Sequence, residues 1–382
     1  MSKPKVSPLI ALTSAALALP AFAASQPVET ELSVRASSYA EDDAPEDRIL
    51  LGSDERYQIE VYQFRLLTPV SRNFSLEVSA SHESMSGASP WSSIQGVDGD
   101  PSLIMTGATI KDNRTEVGAT ITRYGENSSF GIGVTHSQED DYEATALSLN
   151  AEWDFNSKLS TLAVGLSYSN DDIEPSDAEM FGRVEREEKH SGSLSLSWTQ
   201  VLNKSSVVQL GLSLTKHEGF LTDPYKLRDV RPDHRFEWAS SLRYRKYFDL
   251  LNGAWHFDYR YYSDDYKVHS HTFETAWHQN LGPRFQIVPS VRYYSQDAAN
   301  FYTAFDNFIV PLSENQSSDF RLSTFGALTF GLKVIVGIRR SSLTISIDRY
   351  ISDDSYAFSS SEFEHPALLD YTLLSLGLNL RF

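Results

Sequence analysis

Apolar and polar side chains alternate singly along most of the chain. Leu32, Val34 and Ala36 alternate with Ser33, Arg35 and Ser37, and Phe74, Leu76, Val78 and Ala80 alternate with Ser75, Glu77, Ser79 and Ser81. An extended backbone turns successive side chains to opposite faces, so such runs predict strands with one apolar and one polar face. The pattern returns from Val117 to Ile121, Phe130 to Val134, Leu147 to Trp153, Leu162 to Tyr168, Leu194 to Trp198 and Val208 to Leu214. It continues with heavier side chains from Phe236 to Tyr244, Trp255 to Tyr261, Phe273 to Trp277 and Phe285 to Tyr293. Further strands are expected around Phe320 to Val336 and Leu343 to Tyr350, and a last one from Tyr371 to Phe382. Tyr57, Ile59 and Val61 begin a strand whose phase blurs from Tyr62 to Leu66, which predicts a bulge. The stretch from His82 to Asp112 loses its alternation and reads as a long loop.

The tally is about 16 strands. Tight turns, such as Thr68 to Asn73 and Gly125 to Asn127, alternate with longer, mostly acidic interruptions. The fold class expected is therefore all-β: a single transmembrane antiparallel up-and-down barrel with short periplasmic turns and long extracellular loops. The closing strand supports this, because Leu374, Leu376, Leu378, Leu380 and Phe382 share one face against Ser375, Gly377, Asn379 and Arg381. It resembles the final strand of Gram-negative outer-membrane barrels, a resemblance that implies recognition of Phe382 by the barrel-assembly machinery. An edge strand of a soluble sandwich is the competing reading of this stretch alone. Against it, Trp153, Trp198, Trp255 and Trp277 all lie on apolar faces close to the tight turns, where an aromatic girdle at the membrane interface would place them together with Phe382.

The first residues add a compartment. Lys3 and Lys5 precede an apolar run from Leu9 to Leu19, then Pro20 and the small-residue site Ala21-Phe22-Ala23. This is the pattern of a secretory signal peptide over residues 1–23, leaving 24–382 as one outer-membrane barrel domain. No later apolar run reaches the roughly 18 residues of a membrane helix. The chain has no cysteine and a formal net charge of −18, about −20 without Lys3 and Lys5. An acid excess of this size speaks against nucleic acid as a partner and leaves outer-membrane lipid as the expected one.

Four further stretches, Ser86-Gly-Ala-Ser-Pro90, Leu221-Thr-Asp-Pro-Tyr-Lys226, Asp258-Tyr-Arg-Tyr-Tyr-Ser-Asp-Asp265 and Val291-Arg-Tyr-Tyr-Ser-Gln-Asp-Ala-Ala-Asn-Phe-Tyr302, resemble an uncharacterised family of Gram-negative outer-membrane barrels known only as a domain of unknown function. The likeness covers nearly the whole mature chain. It implies a fold and an outer-membrane location but no substrate. The periplasmic flavin transferase encoded near such members implies a redox setting and with it a periplasmic partner.

Motifs for nucleotide binding, zinc proteolysis or a nucleophile elbow are absent, so no enzyme and no cofactor are expected. Three constellations remain. Asp264, Asp265, His269 and His271 surround a tight hairpin and could hold a divalent metal, although a solvated loop explains them as well. Glu237, Arg243, Arg245, His256, Asp258, Arg260, Glu274, His278 and Arg292 fall on the lumenal side of four consecutive strands. They read as an interlocked charge belt that stiffens the wall or forms a constriction, ahead of an acid/base pair from His256 and Asp258. The loops around Ser86 to Pro101, Gly219 to Pro232 and Ala298 to Pro311 either fold into the mouth or face outward. The leading function is a porin-like channel for small solutes, since about 16 strands enclose an aqueous lumen. A plugged structural or partner-docking barrel serving a periplasmic redox system is the rival, told apart by loops filling the pore. An outer-membrane hydrolase comes third and would need a serine or acid beside His256 or His278. Neither solute nor oligomeric state can be read from the chain.

Overall fold

The computed structural model describes residues 26–107, 110–311 and 313–382, so the expected signal segment lies outside the described residues. The strands are β1 (Glu31–Glu41), β2 (Ile49–Leu51), β3 (Gln58–Ser71), β4 (Phe74–Gly87), β5 (Pro90–Gln95), β6 (Pro101–Met105), β7 (Ile110–Tyr124), β8 (Ser128–Gln138), β9 (Tyr142–Phe155), β10 (Ser160–Ile173) and β11 (Glu187–Asn203). They continue with β12 (Ser206–Gly219), β13 (Asp229–Val230), β14 (His234–Phe248), β15 (Gly253–Asp264), β16 (His269–Asn280), β17 (Phe285–Gln296), β18 (Gln316–Ser317), β19 (Phe325–Ile338), β20 (Ser341–Asp353) and β21 (Tyr371–Arg381). Sixteen of them form one closed antiparallel barrel, while β2, β5, β6, β13 and β18 lie in its loops. Closure joins β1 to β21, from Glu31 opposite Arg381 to Glu41 opposite Tyr371, and Thr30 and Phe382 extend the ladder by a reciprocal backbone pair. A ladder without ends has no unpaired edge, which is the condition for strands to cross lipid.

The two ends differ. At one, turns such as Arg72–Asn73 and residues 249–252 are short, the latter closing with Asn252 in the left-handed region at φ 47°. At the other, all connections are long except residues 139–141 and 265–268. The alternation sorts the side chains as expected: Leu147 (60% exposed), Leu166 (47%) and Leu376 (51%) point away from the barrel axis, as only a lipid-facing wall allows.

Several boundaries differ from the sequence reading. There is no bulge from Tyr62 to Leu66, because the register against β1 runs unbroken from Leu66 opposite Leu32 to Gln58 opposite Ala40. Tyr62, Phe64 and Leu66 face outward in phase, and Tyr57, Ile59 and Val61 face inward. What blurred the phase is a change in which face carries apolar residues: Tyr57 and Ile59 are buried inside the barrel with Met85 and Tyr225. For the same reason β4 continues to Gly87 and β7 starts at Ile110, well inside the stretch expected to be loop. Only Arg72 and Asn73 stand between β3 and β4, and β19 begins at Phe325, after a short helical turn at Phe320–Leu322.

Inward positions are of two kinds. From β8 to β12 small residues predominate, including Gly131, Gly133, Ser148, Gly165, Ser193, Ser195, Ser197, Gly211 and Ser213. From β14 to β20 they carry Arg, His, Asp, Glu, Lys and Tyr. Water reaches this interior, because Arg35, Gln63, Asn150, Arg260 and Arg292 all point inward yet are exposed.

Adjacent residues on one strand therefore meet opposite environments. Leu149→Arg, on the outer face, should cost about 2–4 kcal/mol in urea unfolding from lipid vesicles, whereas Asn150→Arg, facing the wet interior, should change stability by less than about 0.5 kcal/mol.

Candidate functional site

The nine side chains of the charge belt all stand on inward faces of β14 to β17, yet they do not form one interlocked ladder. Arg245 binds Asp258 through two contacts, Nη2 to Oδ2 at 2.9 Å and Nη1 to Oδ1. Arg243 donates to Gln209 at 3.3 Å, and Arg260 lies over the Tyr262 ring at 5.4 Å. Glu274 and Arg292 oppose each other in the register without an ion pair between them. Glu237 is higher in the wall, 3.2 Å from Arg235 and 3.6 Å from His217.

Five belt residues, Arg245, His256, Asp258, Glu274 and His278, line one recess of about 310 Å³. The register explains its shape. Gly331, Ser290 and Ala276 sit side by side in one row across β19, β17 and β16 and form a floor of small residues. Asp348 and His256 end that row, and Glu274 and Lys333 border it above and below. A Cβ on Gly331 would lie 2.4 Å from the Ser290 hydroxyl and 2.5 Å from an Asp348 carboxylate oxygen, so both side chains lean into the space the glycine leaves. His256 and His278 pack ring against ring with centroids 3.8 Å apart, and His278 Nδ1 lies 3.3 Å from Gln286 Oε1. Lys333 and Asp348 were missed by the sequence reading, although their signal was present in the alternation of Gly331 and Lys333 with Leu332 and Val334, and of Ser346 and Asp348 with Ile345 and Ile347.

The metal constellation is not assembled. Asp264 points inward and accepts from Arg235 at 2.6 Å, whereas His269 and His271 oppose Ser263 and Tyr261 on the outer face and meet the hydroxyls of Tyr261 and Tyr259. Asp265 accepts the Phe236 amide. Odd and even positions of one hairpin face opposite sides of the wall, so the four cannot share an ion. The girdle residues Trp153, Trp198 and Trp255 point outward near the short turns, Trp277 stands opposite Trp255, and Phe382 is 65% exposed at the same end of the barrel. The acids Asp258, Glu274 and Asp348 and the serines Ser290 and Ser346 line the recess with His256 and His278, as the hydrolase reading asks, but among the described residues no hydroxyl is hydrogen-bonded to either imidazole ring. A Ser–His–carboxylate set exists elsewhere on the inner wall: Ser191 Oγ lies 2.8 Å from His217 Nδ1, and His217 Nε2 lies 3.6 Å from Glu237. Backbone N–H groups around it are committed to the strand ladders, and Arg235 is held by Glu237 and Asp264, so no free donor pair faces Ser191 to stabilise an oxyanion.

Above the recess the long loops fold together and close the mouth. β2 and β6 join loops 42–57 and 88–109, and β13 pairs with β18 to join loops 220–233 and 297–324. Loop 220–233 leaves the wall between β12 and β14, yet its Tyr225 is buried against Ile59 and Met85 of β3 and β4, nearly half-way round the strand order. This loop therefore crosses the mouth. The ion pairs inside the cap centre on fully buried Asp319, which receives Arg231 at 2.8 Å and Arg321, while the partly exposed Arg321 also reaches Asp223 at 2.9 Å. Burial pulls the Asp319 carboxyl up, but Arg321, Lys226 and Arg231 overcome it and hold it well below the usual range. Loop 354–370 is fixed by Arg56, which donates to the Ala367 carbonyl at 3.3 Å, and by buried His365. His365 Nε2–H donates to the Ser318 carbonyl at 2.9 Å while Nδ1 accepts the Ala367 amide at 3.1 Å. The eight loops at this end hold 27 acidic and 9 basic residues out of 51 and 33 in the chain, so the difference of 18 equals the whole net charge.

A sequence profile described as a protein of unknown function (DUF3570) matches residues 9–359. No curated protein matches the chain. Among solved structures it is similar to a bacterial polysaccharide outer membrane secretin, with a TM-score of 0.52 at 10% identity over 93% of this chain and 98% of that one. It is also similar to CdiB from Acinetobacter baumannii, with a TM-score of 0.53 at 11% identity over 93% of this chain and 60% of that one. The siderophore receptor PirA from Pseudomonas aeruginosa aligns at a TM-score of 0.47 and 7% identity over 86% of this chain, which spans only 57% of the receptor's length. These likenesses are of fold.

Protonation of His365 would set a second N–H against the Ala367 amide. Burial, reinforced by Lys226, accordingly lowers its pKa to about 3. A group depressed on folding contributes stability that is complete above its unfolded pKa and lost as pH falls toward the folded one. Hydrogen exchange at Ala367 and Leu368 should therefore quicken as pH drops from 6.5 to 4.5, after correction for the intrinsic rate, with up to about 1.4 kcal/mol lost per pH unit. In His365→Gln that pH dependence should disappear.

Proposed function

Because the chain belongs to the DUF3570 family, whose function is not established, we propose from its own geometry that it is an outer-membrane channel for small solutes, closed at its outer mouth by a folded cap. The observation that carries this reading is the contrast between the two ends. A wet, charged lumen runs to a rim of short turns, while the opposite mouth is crossed by loop 220–233 and held by buried ion pairs. In the membrane the short turns and both termini face the periplasm and the acidic cap faces outward, with the girdle of Trp153, Trp198, Trp255 and Trp277 at the inner interface. Solutes then enter freely from the periplasm and leave outward only when the cap moves.

Function as a permanently plugged barrel that docks a periplasmic partner is supported by the cap's cross-loop contacts, Tyr225 against Met85 and Asp319 with Arg231, since these must be lost on opening. Activity as a hydrolase has less support: the recess sets acids and serines beside His256 and His278 but no hydroxyl is hydrogen-bonded to either ring, and the Ser191, His217 and Glu237 set lacks donors for an oxyanion. The protein is read as non-enzymatic.

Three outcomes are expected. Replacing residues 222–231 by a short Gly-Ser linker should turn a nearly silent barrel into one with sustained conductance in planar bilayers; a folded but silent variant would reject the channel. In intact cells, maleimide should label Met180→Cys and Ile309→Cys but not Leu250→Cys, and the opposite pattern would invert the orientation. A fluorophosphonate probe should leave Ser191 unmodified, and labelling that His217→Ala abolishes would make the protein an enzyme.

A further inference from the structure

The lumenal recess holds charges of both signs that its own residues do not join in ion pairs. Arg245 and Asp258 satisfy each other, but Lys333, Glu274 and Asp348 enter no ion pair among the described residues. The strand ladders fix why. Lys333 on β19 and Glu274 on β16 are separated by β17, on opposite borders of the small-residue floor, and their backbones cannot approach. Asp348 ends the same floor, leaning over Gly331; it is a diagonal neighbour of Lys333 across β19 and β20, but no ion-pair contact joins the two. Water reaches all three, and about 310 Å³ of space separates them.

Unpaired opposite charges held apart across a shallow polar floor are complementary to a ligand that carries both charges on a short rigid frame. We infer that this recess binds small zwitterions of the α-amino acid class. The ligand carboxylate meets the Lys333 ammonium, its own ammonium lies between Glu274 and Asp348, and its side chain extends over Ala276 toward the packed rings of His256 and His278. Ser290, on the floor, supplies a hydroxyl to either end. A simple anion would satisfy Lys333 while bringing its charge near Glu274 and Asp348, and a simple cation would leave Lys333 unmatched. Selectivity for the doubly charged molecule follows from both costs. The inference rests on the channel reading for its physiological meaning, whereas the binding itself needs only the lumen and its open periplasmic rim.

The test is saturation-transfer NMR on the full-length, detergent-folded barrel with L-alanine, N-acetyl-L-alanine and L-alaninamide. L-Alanine should bind, and each singly charged analogue should bind at least about tenfold more weakly, as loss of one charge-assisted contact requires. Lys333→Met and Asp348→Asn should each weaken L-alanine by a similar factor while keeping the unboiled electrophoretic mobility of a folded barrel. Equal binding of N-acetyl-L-alanine, binding unchanged in both variants, or no binding of L-alanine to folded wild-type protein would each overturn the inference. Conductance of the cap-replaced barrel is read separately: conduction without L-alanine binding defeats this inference alone, and binding without conduction defeats the channel reading alone.

Discussion

Every backbone N–H and C=O of a strand in lipid must find its partner within the protein, because hydrocarbon offers none. Pairing β1 with β21 meets that demand for the whole wall at once, and much else follows. Once the ladder is closed, each strand has one face toward lipid and one toward the lumen, so the sequence has to alternate. Sixteen strands set a circumference too wide for side chains to fill, so the interior is wet and can carry charge.

Within that constraint the interior is divided unequally. Small residues along β8 to β12 leave space, and the larger charged residues of β14 to β20 occupy it. The recess is a local case of the same contrast, with Gly331, Ser290 and Ala276 surrounded by Asp348, Glu274, His256 and Lys333. Arg245 and Asp258, diagonal neighbours across β14 and β15, pair, whereas Lys333 and Glu274 are kept apart by the intervening β17.

The cap answers to different physics. Outside the hydrocarbon a loop must bury its own polar groups by folding on other loops. Tyr225 against Ile59 and Met85, and Asp319 between Arg231 and Arg321, do this across the mouth. Such a closure is specific because removing one member leaves a buried charge unpaired. It also collects the chain's net negative charge at one end, so the cap presents an acidic surface while wall and turns are nearly balanced.

The barrel was legible in the chain because lipid imposes a period of two on each strand, and Leu147, Leu149, Ala151 and Trp153 declare it without reference to any other residue. The lumenal side of Arg245, His256, Asp258, Glu274 and His278 followed from the same period. Tyr57, Ile59 and Met85 were misleading, since apolar residues on the inward face make sense only once Tyr225 is seen beside them. Which belt residues share a recess was decided by register between strands, and register depends on strands far apart in the chain. The cap was beyond sequence reasoning for a related reason: its loops are irregular, carry no period, and take their conformation from contacts such as Ser318 with His365 and Asp223 with Arg321 that exist only after the wall has closed.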